Sequence, residues 1–262
     1  MMRFSQALDS VRRDGDTWIA SVGEDWLQGR SAFGGIQAAL ALRAMRDLVP
    51  AGTPLRSLQV AFLAPVPAGD VRIAASVLRQ GKNVSQVEAR LIDGDETVCV
   101  VIGVFGTPRA SKLHLLPAQP AVQAMPTPHV LRYVPGLLPE FTQHFHARWL
   151  QGDVPFSGST QTEQVVDISL KDDGVADETH VVAFADFIPP VALSMLDQPA
   201  PGSSLTWMLE LLADPRGWPL NGWRIDAQLQ AAQDGYTSQQ VMLWGPGGEP
   251  AALSRQSMVV FG

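Results

Sequence analysis

The sequence repeats itself on a scale that limits what it can fold into. Residues 57–106 and 204–262 both open on Ser-Leu, run through four strand-like stretches and close on Val-Phe-Gly. Ahead of each lies a nearly uncharged helical stretch, FGGIQAALALRAM from Phe33 and HVVAFADFI from His180. Such self-similarity means one supersecondary unit used twice. The chain of 262 residues then divides into two fused units of roughly 120–130 each, a size that can bury a substantial core.

The first unit reads clearly. TWIASV (17–22) is a short strand of β-prone residues. From Phe33 to Leu42 the helical stretch carries no charge and is apolar on nearly every face, as in a helix enclosed by other structure. Gly34-Gly35 marks its start and Pro50 closes it. SLQVAFLAPV, DVRIAASVLR, VSQVEARLID and TVCVVIGVFG follow, separated by the hairpin signals PAG, QGKN and DGDE. Four antiparallel strands after one buried helix predict an α+β unit in which a sheet curls around the helix.

Residues 107–139 change character. Pro108, Pro117, Pro120, Pro126, Pro128, Pro135 and Pro139 fall here without periodicity, which predicts a semi-rigid surface linker between units at 1–106 and 140–262. In the second unit FTQHFHARWLQG and TEQVVDISLKDD are strand-like. Asp177-Glu178-Thr179 is a helix start with an acidic N-cap, and Pro189-Pro190 breaks that helix, which puts Asp186 inside it near its end.

Composition removes several classes of function. The net charge is −7 and 17% of residues are charged, so there is no basic footprint for nucleic acid or an anionic membrane surface. Met1–Asp16 has no apolar core of a signal peptide and no stretch is long enough to span a bilayer, so the expected location is the cytoplasm. Cys99, the only cysteine, lies between Val98 and Val100 and reads as a small buried hydrophobe, not a nucleophile. There is no G-x-S-x-G elbow; Gly29-Arg30-Ser31-Ala32-Phe33 is the nearest approach. No P-loop, dinucleotide fingerprint or H-E-x-x-H pattern occurs, and no metal or cofactor is implied. His144 and His146 would share one face of a strand as metal ligands, but nothing supplies further ligands.

One residue stands against its surroundings. Asp186 is the only formal charge in VVAFADFIPPVALSML (181–196). A carboxylate there must find hydrogen bonds, shift its pKa or serve in chemistry, and a purely structural role bonded to backbone or a buried Arg is the competing explanation.

FGGIQAALAL, the Ser-Leu strand openings, RQGKNVSQVEARL and the duplicated layout together resemble the double-hotdog acyl-CoA thioesterases related to bacterial acyl-CoA thioesterase II, along essentially the whole chain. The resemblance implies a tandem hotdog fold, each unit a curled antiparallel sheet wrapped around a central helix. It implies hydrolysis of an acyl-CoA to a free acid and CoA, in a homo-oligomer. It also implies a site made of an Asp on the second helix, a Ser or Thr at the start of the next strand and a Gln on the last strand. Here these are Asp186, Ser204 or Thr206, and Gln256. Simple alternation would put Ser204 and Thr206 on one face, which leaves the hydroxyl open.

The chemistry suits these residue types. Thioester hydrolysis needs a held water, a base and donors for the oxyanion. A carboxylate in an apolar pocket can be tuned toward the working pH, and a hydroxyl and an amide can fix the water or meet developing charge. Backbone N–H groups at Gly34 and Gly35 are a candidate oxyanion site, with simple helix-start geometry as the alternative. Arg79, Lys82 and Arg90 could meet CoA phosphates or lie on a solvated hairpin, and Trp207 and Trp223 could wall an acyl pocket or be core. Two further readings stay open: a non-catalytic acyl-CoA or acyl-chain binder, and a hydratase, which would want a His–Asp pair that DETH (177–180) does not space correctly. The first helix has no acid, so only the second half is expected to carry catalysis.

Overall fold

In a computed structural model that describes residues 1–261, the strands form where alternation and turn chemistry agree. The first half holds α1 (Phe4–Asp9), β1 (Arg12–Asp14), β2 (Thr17–Val22), β3 (Leu27–Gln28), β4 (Ser31–Ala32), α2 (Gly34–Met45), β5 (Leu55–Phe62), β6 (Gly69–Gln80), β7 (Val84–Asp93) and β8 (Glu96–Gly106). After them come β9 (His129–Val130), β10 (Phe145–Gln151), β11 (Glu163–Leu170), α3 (Glu178–Ala185), β12 (Gly202–Leu211), β13 (Trp223–Gln233), β14 (Tyr236–Trp244) and β15 (Pro250–Val260). The β13–β14 hairpin shows the turn logic: Asp234 and Gly235 take φ of 54° and 79°, the left-handed pair that a tight two-residue turn requires. Gly262, the last residue of the second Val-Phe-Gly, lies outside the described residues.

All strands but the small β3–β4 ladder join one antiparallel sheet, in the order β1-β2-β6-β7-β8-β5-β12-β15-β14-β13-β11-β10-β9. Read outward from its middle, the order is β5-β8-β7-β6-β2 on one side and β12-β15-β14-β13-β11 on the other. The duplication in the sequence is therefore a near two-fold repeat in space, with β5 and β12 side by side; Val60 pairs with Trp207 and Leu58 with Leu209. Residues 107–139 add only β9 to this sheet, and Leu131 N–H donates to Ala147 O at 2.9 Å where the segment runs beside β10.

The two helices lie together inside the sheet. α2 packs on β6, β7 and β8, α3 on β14 and β15, and α2 and α3 on each other. This enclosure on every side is why Ile36, Leu40, Leu42, Val182 and Phe184 are all fully buried and why α2 has no polar face. The helices run head to tail. The start of α2 meets the end of α3, where a side chain at Gly35 would reach the Ala183 Cα at 3.1 Å, so only glycine permits the approach.

At the opposite end Arg46, the C-cap of α2, forms a two-pronged ion pair with Glu178 in the first turn of α3. Arg46 also donates to Thr53 O at 2.6 Å and lies 4.7 Å over the Phe105 ring. This pair clamps the halves together.

Two expectations are corrected, and one element is new. Asp186 is not within α3 but is its C-cap, one residue past Ala185, because the chain must turn before Pro189. Glu140–His144 is a 3-10 turn, so His144 and His146 share no strand face. His144 is instead buried and stacked on Trp26 at 3.9 Å, whereas His146 points outward. The sequence offered no signal for α1; its Phe4 packs against Trp26 and His180.

The Arg46–Glu178 clamp yields a test. The side chains are only 22% and 16% exposed, so Arg46→Met, which strands Glu178, is expected to cost about 2–3 kcal/mol in chemical denaturation. Arg46→Met/Glu178→Met should cost clearly less than either single change. Additive losses would show that the pair does not act as a clamp.

Candidate active site

The polar centre forms where the two halves meet. α2 begins at Gly34 after Phe33, which offers no capping side chain; the Phe33 carbonyl accepts from the Ile36 and Gln37 N–H groups, so those of Gly34 and Gly35 are the ones with no partner within the helix. Asp186 lies against that helix start from the end of α3, where the Gly35 N–H favours its ionised form. A side chain at Gly34 would stand 2.6 Å from Asp186 Oδ2 and 2.9 Å from the Phe62 ring, so the double glycine is what lets the carboxylate reach the helix start.

Gln256, buried on β15, donates from Nε2 to Asp186 Oδ1. Burial pushes the Asp186 carboxyl up to about 7, against the lowering effect of the Gln256 and Gly35 hydrogen bonds. The group is thus poised between protonated and ionised forms near neutrality. Cys99 on β8 feels its field, and burial together with that charge pushes the thiol up to about 12, so Cys99 stays neutral and is no nucleophile.

The serine and threonine separate. A β-bulge at Leu205 breaks the alternation, so Ser204 pairs with the buried Met258 and Thr206 with the exposed Ser257. Ser204 therefore shares the inner face with Gln256 and Met258, and Thr206 points outward. The shared face that simple alternation implied does not exist, because one extra residue reverses every side chain beyond it.

Trp207 pairs with Gln256 on the inner face and donates from Nε1 to Ser254 Oγ at 2.8 Å, which makes it a buried wall beside the amide. Trp223 stacks on Phe184 at 4.8 Å and is core beneath α3.

The basic residues fall elsewhere. Arg79 lies in the row of Gln86 and Val104, whereas Cys99, which senses Asp186, lies in the row of Leu91. From Cys99 to Val104 is roughly 17 Å along the strand. Arg79 and the neighbouring turn residue Lys82 are thus at the far end of the sheet from Asp186, a separation that only the long pantetheine arm of a CoA thioester could bridge. Arg90 is exposed and donates to Glu88 at 2.6 Å. Among the described residues no cluster of His, Cys, Asp and Glu could hold a metal ion.

Sequence reasoning missed Gln239. It is fully buried on β14, pairs with Gln256 across the ladder, and places Nε2 3.4 Å from Gln256 Oε1. Its own Oε1 accepts from Val191 N–H at 2.9 Å. The available signal was alternation: Thr237, Gln239, Val241 and Leu243 all point inward, and two of the four are polar.

Comparison with known proteins gives the family and the fold. Residues 22–106 match the acyl-CoA thioesterase N-terminal domain and residues 114–260 the acyl-CoA thioesterase C-terminal domain. A hotdog-fold protein of unknown function from Alicyclobacillus acidocaldarius superposes with a TM-score of 0.88 at 22% identity, covering 99% of this chain and 98% of that one. The tesB protein of Mycobacterium avium subs. paratuberculosis gives 0.79 at 13% identity, over 99% and 98%. The acyl-CoA thioesterase II TesB2 of Mycobacterium marinum gives 0.73 at 17% identity, over 98% of each chain. These likenesses establish the double hotdog fold. No curated protein sequence matches the chain.

The raised carboxyl makes a stability prediction. Between about pH 4 and 7 the folded protein holds a proton on Asp186 that the unfolded chain has released, so this group's contribution falls as pH rises and levels off above 7. Asp186→Asn lacks that slope and is expected to gain on wild type by roughly 2–4 kcal/mol between pH 4 and 8. The difference separates Asp186 from His144, whose burial lowers its own pKa and whose contribution runs the opposite way. Parallel wild-type and variant curves in denaturant titrations across this range would refute the raised pKa.

Proposed function

Because the chain belongs to the acyl-CoA thioesterase family and carries both of its domains in order, we propose that it hydrolyses an acyl-CoA thioester to a carboxylic acid and CoA by direct attack of water at Asp186. The observation that carries this reading is the Asp186 carboxyl set against the start of α2 and bonded to the Gln256 amide, where burial pushes it up to about 7. In the ionised form it takes a proton from water as the water oxygen bonds to the thioester carbon. The carbonyl oxygen becomes an oxyanion, and the start of α2 is the natural place for that charge, since helix N-termini favour anions. Collapse breaks the carbon–sulfur bond, and the proton held by Asp186 leaves with the thiolate.

Gln256 orients the carboxylate, and Ser204, on the same face, is the hydroxyl that can join the water. Thr206 on the opposite face cannot. The first copy of the unit offers no equivalent base: at the end of its helix stands the Arg46–Glu178 pair, beside a groove of about 330 Å³ whose Asp214 and Arg216 are also paired with each other. One site per chain follows.

The test is release of free thiol from short, medium, long and aromatic acyl-CoAs. Asp186→Asn is expected to lower kcat by about 10²–10⁴ and Gln256→Ala by roughly tenfold or more, with Ser204→Ala affecting the rate more than Thr206→Ala. In wild type kcat/KM should rise with pH and reach half its plateau near 7. No turnover on any substrate, with acyl-CoA still raising the melting temperature, would replace the enzyme with an acyl-CoA binder.

A further inference from the structure

Gln256 can serve Asp186 in only one of its two amide orientations. With Nε2 toward the carboxylate it donates and favours the ionised form; turned over, it would present Oε1 to Oδ1 and disfavour that form. The two orientations are nearly identical in shape, so packing alone does not choose between them. Something with unambiguous hydrogen-bonding polarity must.

That reference is a backbone amide. Val191 N–H can only donate, and it donates to Gln239 Oε1 at 2.9 Å. Gln239 Nε2 is thereby turned toward Gln256, 3.4 Å from its Oε1. Gln256 then has only Nε2 left for Asp186. Polarity passes in one direction from backbone to carboxylate through two side chains that are 0% and 2% exposed, where no water competes for their bonds. Val191 is itself fixed, since it is the first residue of a 3-10 turn directly after Pro189-Pro190.

We propose that Gln239 is a positioning residue which, aimed by the Val191 backbone N–H, sets the amide polarity of Gln256 so that it donates to Asp186. The geometry stands alone; its catalytic consequence rests on the thioesterase reading. The groups facing Asp186 are few: N–H groups of α2, Gln256 from β15 and the neutral thiol of Cys99 from β8. None of them is charged, so a change in amide polarity will be felt directly.

The experiment follows the Asp186 carboxyl itself, by difference infrared titration of the unliganded protein with Asp186→Asn assigning the band. Two variants act at different points. Gln239→Met removes the relay while keeping volume. Val191→Pro deletes the aiming N–H while replacing the buried valine with another apolar side chain, at a first-turn position where proline is tolerated and where Pro190 already has the extended ψ of 119° that a following proline needs. Each is expected to move the half-titration point upward by about one pH unit, a tenfold change in ionisation. In turnover, kcat/KM at pH 6 should fall about tenfold with its pH profile displaced alkaline and KM little changed.

A merely structural role would lower the melting temperature and leave the titration in place. An unmoved half-titration point in either folded variant overturns the proposal. If the titration shifts although wild type hydrolyses no acyl-CoA, the positioning role holds and the thioesterase reading fails. If wild type turns over acyl-CoA and neither variant shifts the titration, the thioesterase reading holds and the positioning role fails.

Discussion

Everything polar in the interior turns on one contact, the Asp186 carboxyl against the first turn of α2. Two effects oppose each other there. The helix start and the Gln256 amide favour a negative charge, while the surrounding apolar packing resists one, and resistance prevails far enough to bring the group to about 7. A carboxylate that won its charge outright would be a plain helix cap; one without these partners would stay protonated and inert. On the proposed thioesterase reading, that near balance is what suits the residue to act as a base. It also absorbs the structural explanation for Asp186, since capping and chemistry use the same hydrogen bonds.

This contact needs the whole architecture. α2 belongs to the first half and Asp186 and Gln256 to the second, so neither half contains the site. The head-to-tail packing of α2 and α3 brings the parts together, and the glycine at 35 allows that packing. The two ends of the helix pair have diverged in consequence. One holds a carboxyl tuned between charge states. The other holds Arg46 and Glu178, ion-paired and mutually satisfied, which closes the pseudo-equivalent position. The strands record the same divergence: the inward positions of β8 are Cys99, Val101, Gly103 and Phe105, whereas β15 turns in Ser254, Gln256, Met258 and Val260. Duplication supplied two frameworks, and polar residues were placed in one.

Much of this is legible in the residues alone. The strand stretches after the first helix reappear as β5 to β8 within a few residues, because hydrophobic alternation and hairpin turns are local properties. Asp186 is legible because a lone charge in an apolar run is conspicuous in any fold. Gln256 is weaker, since a glutamine in a strand is ordinary until its face is known. Ser204 and Thr206 could not be separated, for a bulge is settled by ladder pairing across strands far apart in sequence. Arg79 and Lys82 look suited to phosphate, and only the register reveals how far along the sheet their hairpin lies from Asp186.

The sequence by itself determined the repeated unit, the enclosed helices and the unusual carboxylate. Each follows from periodicity, turn chemistry or the cost of burying charge, which a short window of residues already displays. Tertiary structure decided which end of each helix met which, which hydroxyl faced inward and which buried amide steadied Gln256. Those depend on the orientation of donors and acceptors brought together across more than a hundred residues of chain, as Gly35 is to Asp186, and orientation is not encoded in any local pattern.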